Sequence, residues 1–152
     1  MFPFAILLDK VVVSVEVSAD DQHYMKIHYL NYDFGDKVLY LEAVGDCCSE
    51  TWFADIVGIN NLLTGSVYDK VIGIEILRFP EEVSDARGRQ DVDEVYGVRL
   101  RTCKGDCDII YRNSSNGYYG GTVEVASEAA CVGIEFEKIT KDWQSSAIPD
   151  SS

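Results

Sequence analysis

The chain has 152 residues, a formal net charge of −13 at pH 7, 47% hydrophobic and 26% charged residues. One domain's length is about 100–200 residues, and an apolar fraction at the globular average excludes a disordered chain. The 26 acids against 13 bases exclude electrostatic capture of nucleic acid or an anionic membrane, since that affinity comes from basic groups that neutralise phosphates. No run of about 18 apolar residues offers a membrane-spanning helix.

The opening, Met1 to Lys10, is apolar and short. It lacks the basic start and small-residue cleavage site of a secretory signal, so it is expected as a buried first strand and the protein as cytoplasmic. From Lys10 onward, alternation with period two dominates, the mark of half-buried strands. Val11, Val13, Val15 and Val17 share one face of the next strand, and Ser18 to Asp21 is a turn cluster. Gln22 to Leu30 sets Tyr24, Lys26, His28 and Leu30 against His23, Met25, Ile27 and Tyr29. After a connection at Asn31 to Asp36, Lys37 to Val44 is a strand rich in Val, Leu and Tyr.

Gly45 to Ile56 reads as a strand that points Cys48, Trp52, Ala54 and Ile56 one way. A helix with Trp52, Phe53, Ile56 and Leu63 on one stripe is the alternative, and the β-branched and aromatic content favours the strand. Gly58 to Gly65 is a short helical turn between glycines. Val67 to Phe79 is a long apolar strand with a bulge at Gly73. Pro80 to Glu94 is too polar to be ordered by burial and is expected as an exposed loop. Val95 to Thr102 and Asp108 to Arg112 form a hairpin around Lys104-Gly105-Asp106, and Asn113 to Gly117 is a second tight connection. Gly121 to Ala126 and Cys131 to Ile139 are the last strands. Regular short strands without a crossover helix predict an all-β, mainly antiparallel domain over 1–141. The expected form is a sandwich or partly closed barrel of about nine strands with one or two short helical turns. Residues 142–152 are expected to be a flexible tail.

Chemistry-bearing patterns are few. Five cysteines leave at least one unpaired, and a cytoplasmic chain keeps its thiols reduced. Cys103 and Cys107 flank a turn. A zinc site would need them with Cys47 or Cys48 and a histidine, and a hairpin disulfide would join the pair. No C-x-x-C occurs, so the favoured reading is small, buried apolar residues, with no metal and no cofactor. A cysteine nucleophile at Cys47 or Cys48 would need His23 or His28 as base, and neither stands in a motif. No G-x-S-x-G elbow occurs. Asp46, Glu50 and Asp55 around the cysteine pair read as a solvated acidic face. Asn113 to Gly121 is the most unusual stretch: glycines let backbone N–H groups approach a ligand, and tyrosines offer rings and hydroxyls. The alternative there is a tight turn whose tyrosines fold over the sheet edge.

Gly45-Asp46-Cys47-Cys48-Ser49, then Ala54-Asp55-Ile56-x-Gly58 and Leu62-Leu63-x-Gly65, then Tyr111-Arg112-Asn113-x-Ser115-Asn116-Gly117-Tyr118-Tyr119-Gly120, resemble a small-domain family of unknown function found in bacteriophages and bacteria. The likeness covers roughly Val38 to Val125, and Pro80 to Glu94 departs from it. It implies a small intracellular protein of phage origin or acquired from a phage. It marks Asp46, Cys47, Cys48, Asn116, Gly117, Tyr118 and Tyr119 as pattern positions, either a site or a fold signature.

The functional expectation is a non-catalytic interaction or assembly module, with a protein partner or homo-oligomer, in the host cytoplasm or a phage particle. Its acidic face would mimic nucleic acid towards a basic partner. The alternative is a binder of a nucleotide-like small molecule at the Ser115 to Gly121 loop, with Arg99, Arg101 or Arg112 converging on phosphate. A thiol- or metal-dependent enzyme on Cys47, Cys48, Cys103, Cys107 and His28 ranks third.

Overall fold

The computed structural model describes residues 2–31, 33–46, 49–80, 82–83, 92–115 and 120–145. They form β1 (Val11–Ser18), β2 (Tyr24–Leu30), β3 (Asp36–Gly45), β4 (Glu50–Val57), α1 (Ile59–Leu62), β5 (Gly73–Arg78), β6 (Glu82–Val83), β7 (Val92–Thr102), β8 (Gly105–Ser115), β9 (Gly121–Val125), β10 (Phe136–Lys138) and β11 (Trp143–Gln144). Two 3₁₀ turns, Pro3–Leu7 and Ala129–Cys131, complete the set. One sheet runs β10-β1-β2-β3-β9; the other runs β11-β4-β8-β7-β5, with β6 also on β7. Pairing is antiparallel throughout. Val15, Ile27 and Leu41 of the first sheet share one buried cluster with Phe53, Val98 and Ile109 of the second. The expected all-β antiparallel class is therefore the fold found, as two open sheets over one core rather than a closed barrel.

Alternation places side chains directly in β2, where Met25, Ile27 and Tyr29 are buried, and in β3, which buries Leu39, Leu41 and Ala43. β1 departs from it. Val12, Val15 and Val17 are in the core, while Val13 is 46% exposed. A bulge between Val12 and Ser14 in the pairing with β2 inserts one residue, and one extra residue in a period-two strand swaps the face of what precedes it. β4 carries a second bulge, between Phe53 and Asp55. Phe53 and Ile56 therefore both enter the core, and Ile56 parts company with Trp52 and Ala54. Those two are buried as well, outside the central cluster.

Other expectations need correction. Pro3–Leu7 is a 3₁₀ turn, not a strand. Proline fixes φ at its start, and the three-residue repeat brings Phe4 and Leu7, both fully buried, onto one side. In the stretch from Val67 to Phe79 only Gly73–Arg78 pairs with β7. The preceding residues run beside the start of β1: Asp9 N–H donates to Val71 O and Val71 N–H to Lys10 O, each at 2.8 Å. The polar stretch from Pro80 to Glu94 contributes β6 and the start of β7, and Asp93 within it is fully buried, because pairing with β8 draws it into the sheet; residues 84–91 lie outside the described residues. Asn113, Ser114 and Ser115 end β8 rather than forming a turn, and the Asn116-Gly117 bend lies outside the described residues. The segment from Cys131 to Ile139 is the end of a 3₁₀ turn and a three-residue strand. Asp142 to Ser145, assigned by the sequence to the tail, hold to the second sheet: β11 pairs with β4, Ser145 N–H donates to Ala54 O at 2.7 Å, and Asp142 Oδ1 accepts from Gly58 and Ile59 N–H at the start of α1.

Candidate functional site

Two of the crossings between the sheets, from β3 to β4 and from β8 to β9, lie at the same end. Asp46 N–H donates to Gly120 O at 3.3 Å. The Ser49 hydroxyl, 71 residues from Gly120 in sequence, shares its proton between Gly120 O at 3.3 Å and Asp46 O at 3.1 Å. Gly45 and Gly121 face each other across β3 and β9. A Cβ on Gly121 would collide with Thr51 Oγ1 and come within 2.9 Å of Asn113, and one on Gly45 would lie 2.7 Å from Ser49 Oγ. Glycine is needed at both because the Thr51 and Asn113 side chains and the Ser49 hydroxyl and carbonyl already fill the space.

Beneath this junction the inner face of the second sheet is polar. Thr51 Oγ1 donates to Asn113 Oδ1 at 2.8 Å, Asn113 Nδ2 to Glu94 Oε1 at 3.2 Å, and Tyr96 OH to Glu94 Oε2 at 2.9 Å. The Tyr96 ring stacks on Tyr111 with centroids 5.1 Å apart. Burial first, then the Glu94 carboxylate, push the Tyr96 hydroxyl up to about 12. His23 closes the rim: its Nδ1 lies 2.6 Å from Thr51 O, so Nδ1 carries the proton, and Nε2 lies 3.6 Å from Glu50 Oε2. On the other face of the same strands Asp93 and Ser114 are fully buried. Among the described residues neither side chain finds a hydrogen-bond partner; Arg112 Nη1 stands 3.6 Å from Asp93 Oδ2.

Of the pattern residues, Asp46 is described and exposed. Cys47, Cys48, Asn116, Gly117, Tyr118 and Tyr119 lie outside the described residues, although the residues flanking both motifs, Asp46, Ser49 and Gly120, are in hydrogen-bond contact. Thr51, Asn113, Glu94, Tyr96 and His23 were not singled out together. Glu94 and Tyr96 have the i, i+2 spacing of one strand face, but only the pairing of β7 with β8 sets that face against Asn113.

The remaining cysteines are free thiols and do not converge. Cys107 is buried in the core, and burial pushes its thiol up to about 12. Cys131 is buried and raised chiefly for the same reason. Cys103, against expectation, is exposed. It donates to Asp69 Oδ1 at 2.9 Å, which raises the thiol, while that bond and the nearby Thr64 hydroxyl hold the Asp69 carboxyl below its ordinary range. Low-pKa thiolates are the nucleophiles and ligands, and none of these three is one. The arginines do not converge either. Arg99 is bidentate on Asp108 at 2.8 and 3.0 Å, Arg101 donates to Glu75 at 3.0 Å, and both lie towards the Cys103-Lys104 turn, away from Arg112. Among the described residues no three His, Cys, Asp or Glu side chains gather as a metal would require, and no helix is long and apolar enough to cross a membrane.

Comparison with known proteins finds one viral relative, "Uncharacterized protein L278" of Acanthamoeba polyphaga mimivirus. It is 36% identical over 101 residues, covering 59% of this chain and 69% of that protein. No solved structure matches. The match to the family model described as Domain of unknown function (DUF7448) runs over residues 5–125, most of the chain, and the protein therefore belongs to that family.

Proposed function

We propose that the domain is a non-catalytic interaction module that holds a protein partner, or another copy of itself, through its strand edges, in the cytoplasm of a host cell or in a virus particle. The observation that carries this reading is the outer edge of the second sheet. β5 is the terminal strand of its sheet, paired through β7, and Ile76 is 60% exposed along it, near Ile72 and Phe79, also exposed. An exposed edge strand with large aliphatic side chains is a template for another chain. The protonated thiols and carboxylate-bound arginines described above support a binding role over a catalytic one. The test is sedimentation of the purified chain beside Ile76→Lys, with any co-purifying protein identified and the complex rebuilt from purified parts. Self-association or a rebuilt complex that Ile76→Lys weakens supports the reading; a monomer that holds no protein overturns it.

A second reading is favoured by the meeting of the two motif flanks: a nucleotide-like small molecule bound at Asp46, Cys47, Cys48, Asn116, Gly117, Tyr118 and Tyr119. A ligand at 100 times its dissociation constant adds about 2.7 kcal/mol to stability. Equal melting temperatures with and without a panel of nucleotides, cyclic dinucleotides and sugars dispose of it.

A further inference from the structure

β3 is paired from Asp36 to Ala43 on one side, and only from Tyr40 to Gly45 on the other. β2 pairs with Asp36 to Glu42, whereas β9 begins opposite Gly45 and ends opposite Leu41. Antiparallel strands direct the backbone groups of successive residues to opposite sides. Ala43 N–H points to β2, donating to His23 O, and Tyr40 C=O points the other way, accepting from Ala126 N–H. By that alternation the N–H and C=O of Val38, two residues before Tyr40, also face away from β2. Among the described residues no strand lies there.

A groove of about 510 Å³ runs along this half-edge. Ile6, Tyr29, Leu39 and Val125 line its inner side, and Val38 and Tyr40 its outer side. Ile6 is 46%, Val38 42% and Val125 60% exposed, so a large share of this apolar lining is open to water. The 3₁₀ turn Pro3–Leu7 explains Ile6: its neighbours Phe4 and Leu7 are buried in the core, which leaves Ile6 facing out. The rim carries Asp36 and Glu128 against Lys37.

We propose that this groove receives an extended segment of a partner protein, which adds to the first sheet in line with β9, and that the segment alternates apolar residues with lysine or arginine. The proposal rests on the interaction-module reading and adds the place and the partner's chemistry. Unpaired strand backbone calls for another strand. The apolar lining calls for side chains at every second position, because a strand presents i and i+2 to the same face. The acidic rim and the chain's −13 charge favour a basic partner over a second copy, which would bring like charge to like.

The test uses the full chain and a display library of end-blocked nine-residue peptides with apolar residues at alternate positions, one half of the library carrying Lys or Arg between them and the other half Asp or Glu. The expected result is enrichment of the basic half, slowed hydrogen exchange at the Val38 amide when an enriched peptide is bound, and at least tenfold weaker binding to Val38→Pro. That variant removes the outward N–H without touching the pairing with β2. Ile6→Glu, on an exposed side chain, should weaken the basic peptides by a similar factor and serves where proline perturbs the strand. No enrichment, equal enrichment of the acidic half, or binding that neither variant weakens overturns the groove. So does a self-dimer dispersed by Val38→Pro, which would install a second copy as the occupant. A partner complex that withstands both variants but fails with Ile76→Lys overturns the groove and leaves the interaction reading standing.

Discussion

The two ends of the β7–β8 hairpin are built from the same two strands and held in different ways. At the Cys103-Lys104 turn the inner face is apolar, with Leu100, Cys107 and Ile109 in the core. The outer face there carries a ladder of ions: Glu75, Arg99, Arg101, Asp106 and Asp108. At the other end both faces are buried and both are polar, with Asn113 on one side and Asp93 and Ser114 on the other. Apolar burial is non-directional and roughly proportional to area, so the turn end tolerates small shifts. A buried hydrogen-bond network depends on orientation, and each unmade bond there costs the desolvation of the group left behind. The polar end, where Asp46 and Ser49 meet Gly120, is thus the more exacting of the two.

Substitutions at the two ends separate the two kinds of support. Ile109→Ala, in the apolar part, is expected to cost about 2–5 kcal/mol through lost transfer energy and a cavity. Asn113→Ala should cost about 2–3 kcal/mol despite removing fewer apolar atoms, since it strands the Thr51 hydroxyl and takes one donor from the Glu94 carboxylate, which keeps that of Tyr96. Urea unfolding of both variants checks the pair, and an Asn113→Ala variant within a few tenths of wild type would show that the polar end is not held by its network. Gly121→Ala should cost about 1–3 kcal/mol by overpacking against Thr51 and Asn113. The same change at Gly65, where a side chain meets open space but φ is +79°, separates steric collision from backbone strain. Arg101→Ala, on the ion ladder, should cost no more than about 1 kcal/mol, with the difference shrinking in high salt.

A last measurement sharpens the description of the turn end. Asp69 is held below its ordinary range by the Cys103 thiol. Its contribution to stability is therefore complete above the unfolded value of about 3.9 and is lost as the pH falls through the lower folded value. Asp69→Asn should flatten the acid limb of stability against pH. It should also release Cys103, whose thiol the carboxylate raises, and each unit of fall raises the thiolate fraction about tenfold. Faster alkylation of Cys103 at pH 8 is expected, and an unchanged rate would show that the Asp69 bond does not govern the thiol.

The class of this protein and most of its strands follow from its residues alone. Period-two runs such as Met25, Ile27 and Tyr29 show which face is buried without any knowledge of what covers it, and Gly58, at a φ of +86° that favours glycine, marks the start of α1. The sequence also marked the two motif segments as unusual. The features that depend on the folded whole are non-local. The bulges in β1 and β4 reassign Val13 and Ile56, and a bulge is set by the partner strand rather than by the strand's own pattern. Glu94, read as part of a polar loop, becomes an acceptor for Asn113 and Tyr96 because pairing across the hairpin carries it inward. Ser49 reaches Gly120 across 71 residues. A hydrogen bond of that span depends on how two sheets stack, and that stacking is settled by the whole buried cluster at once, not by the residues that make the bond.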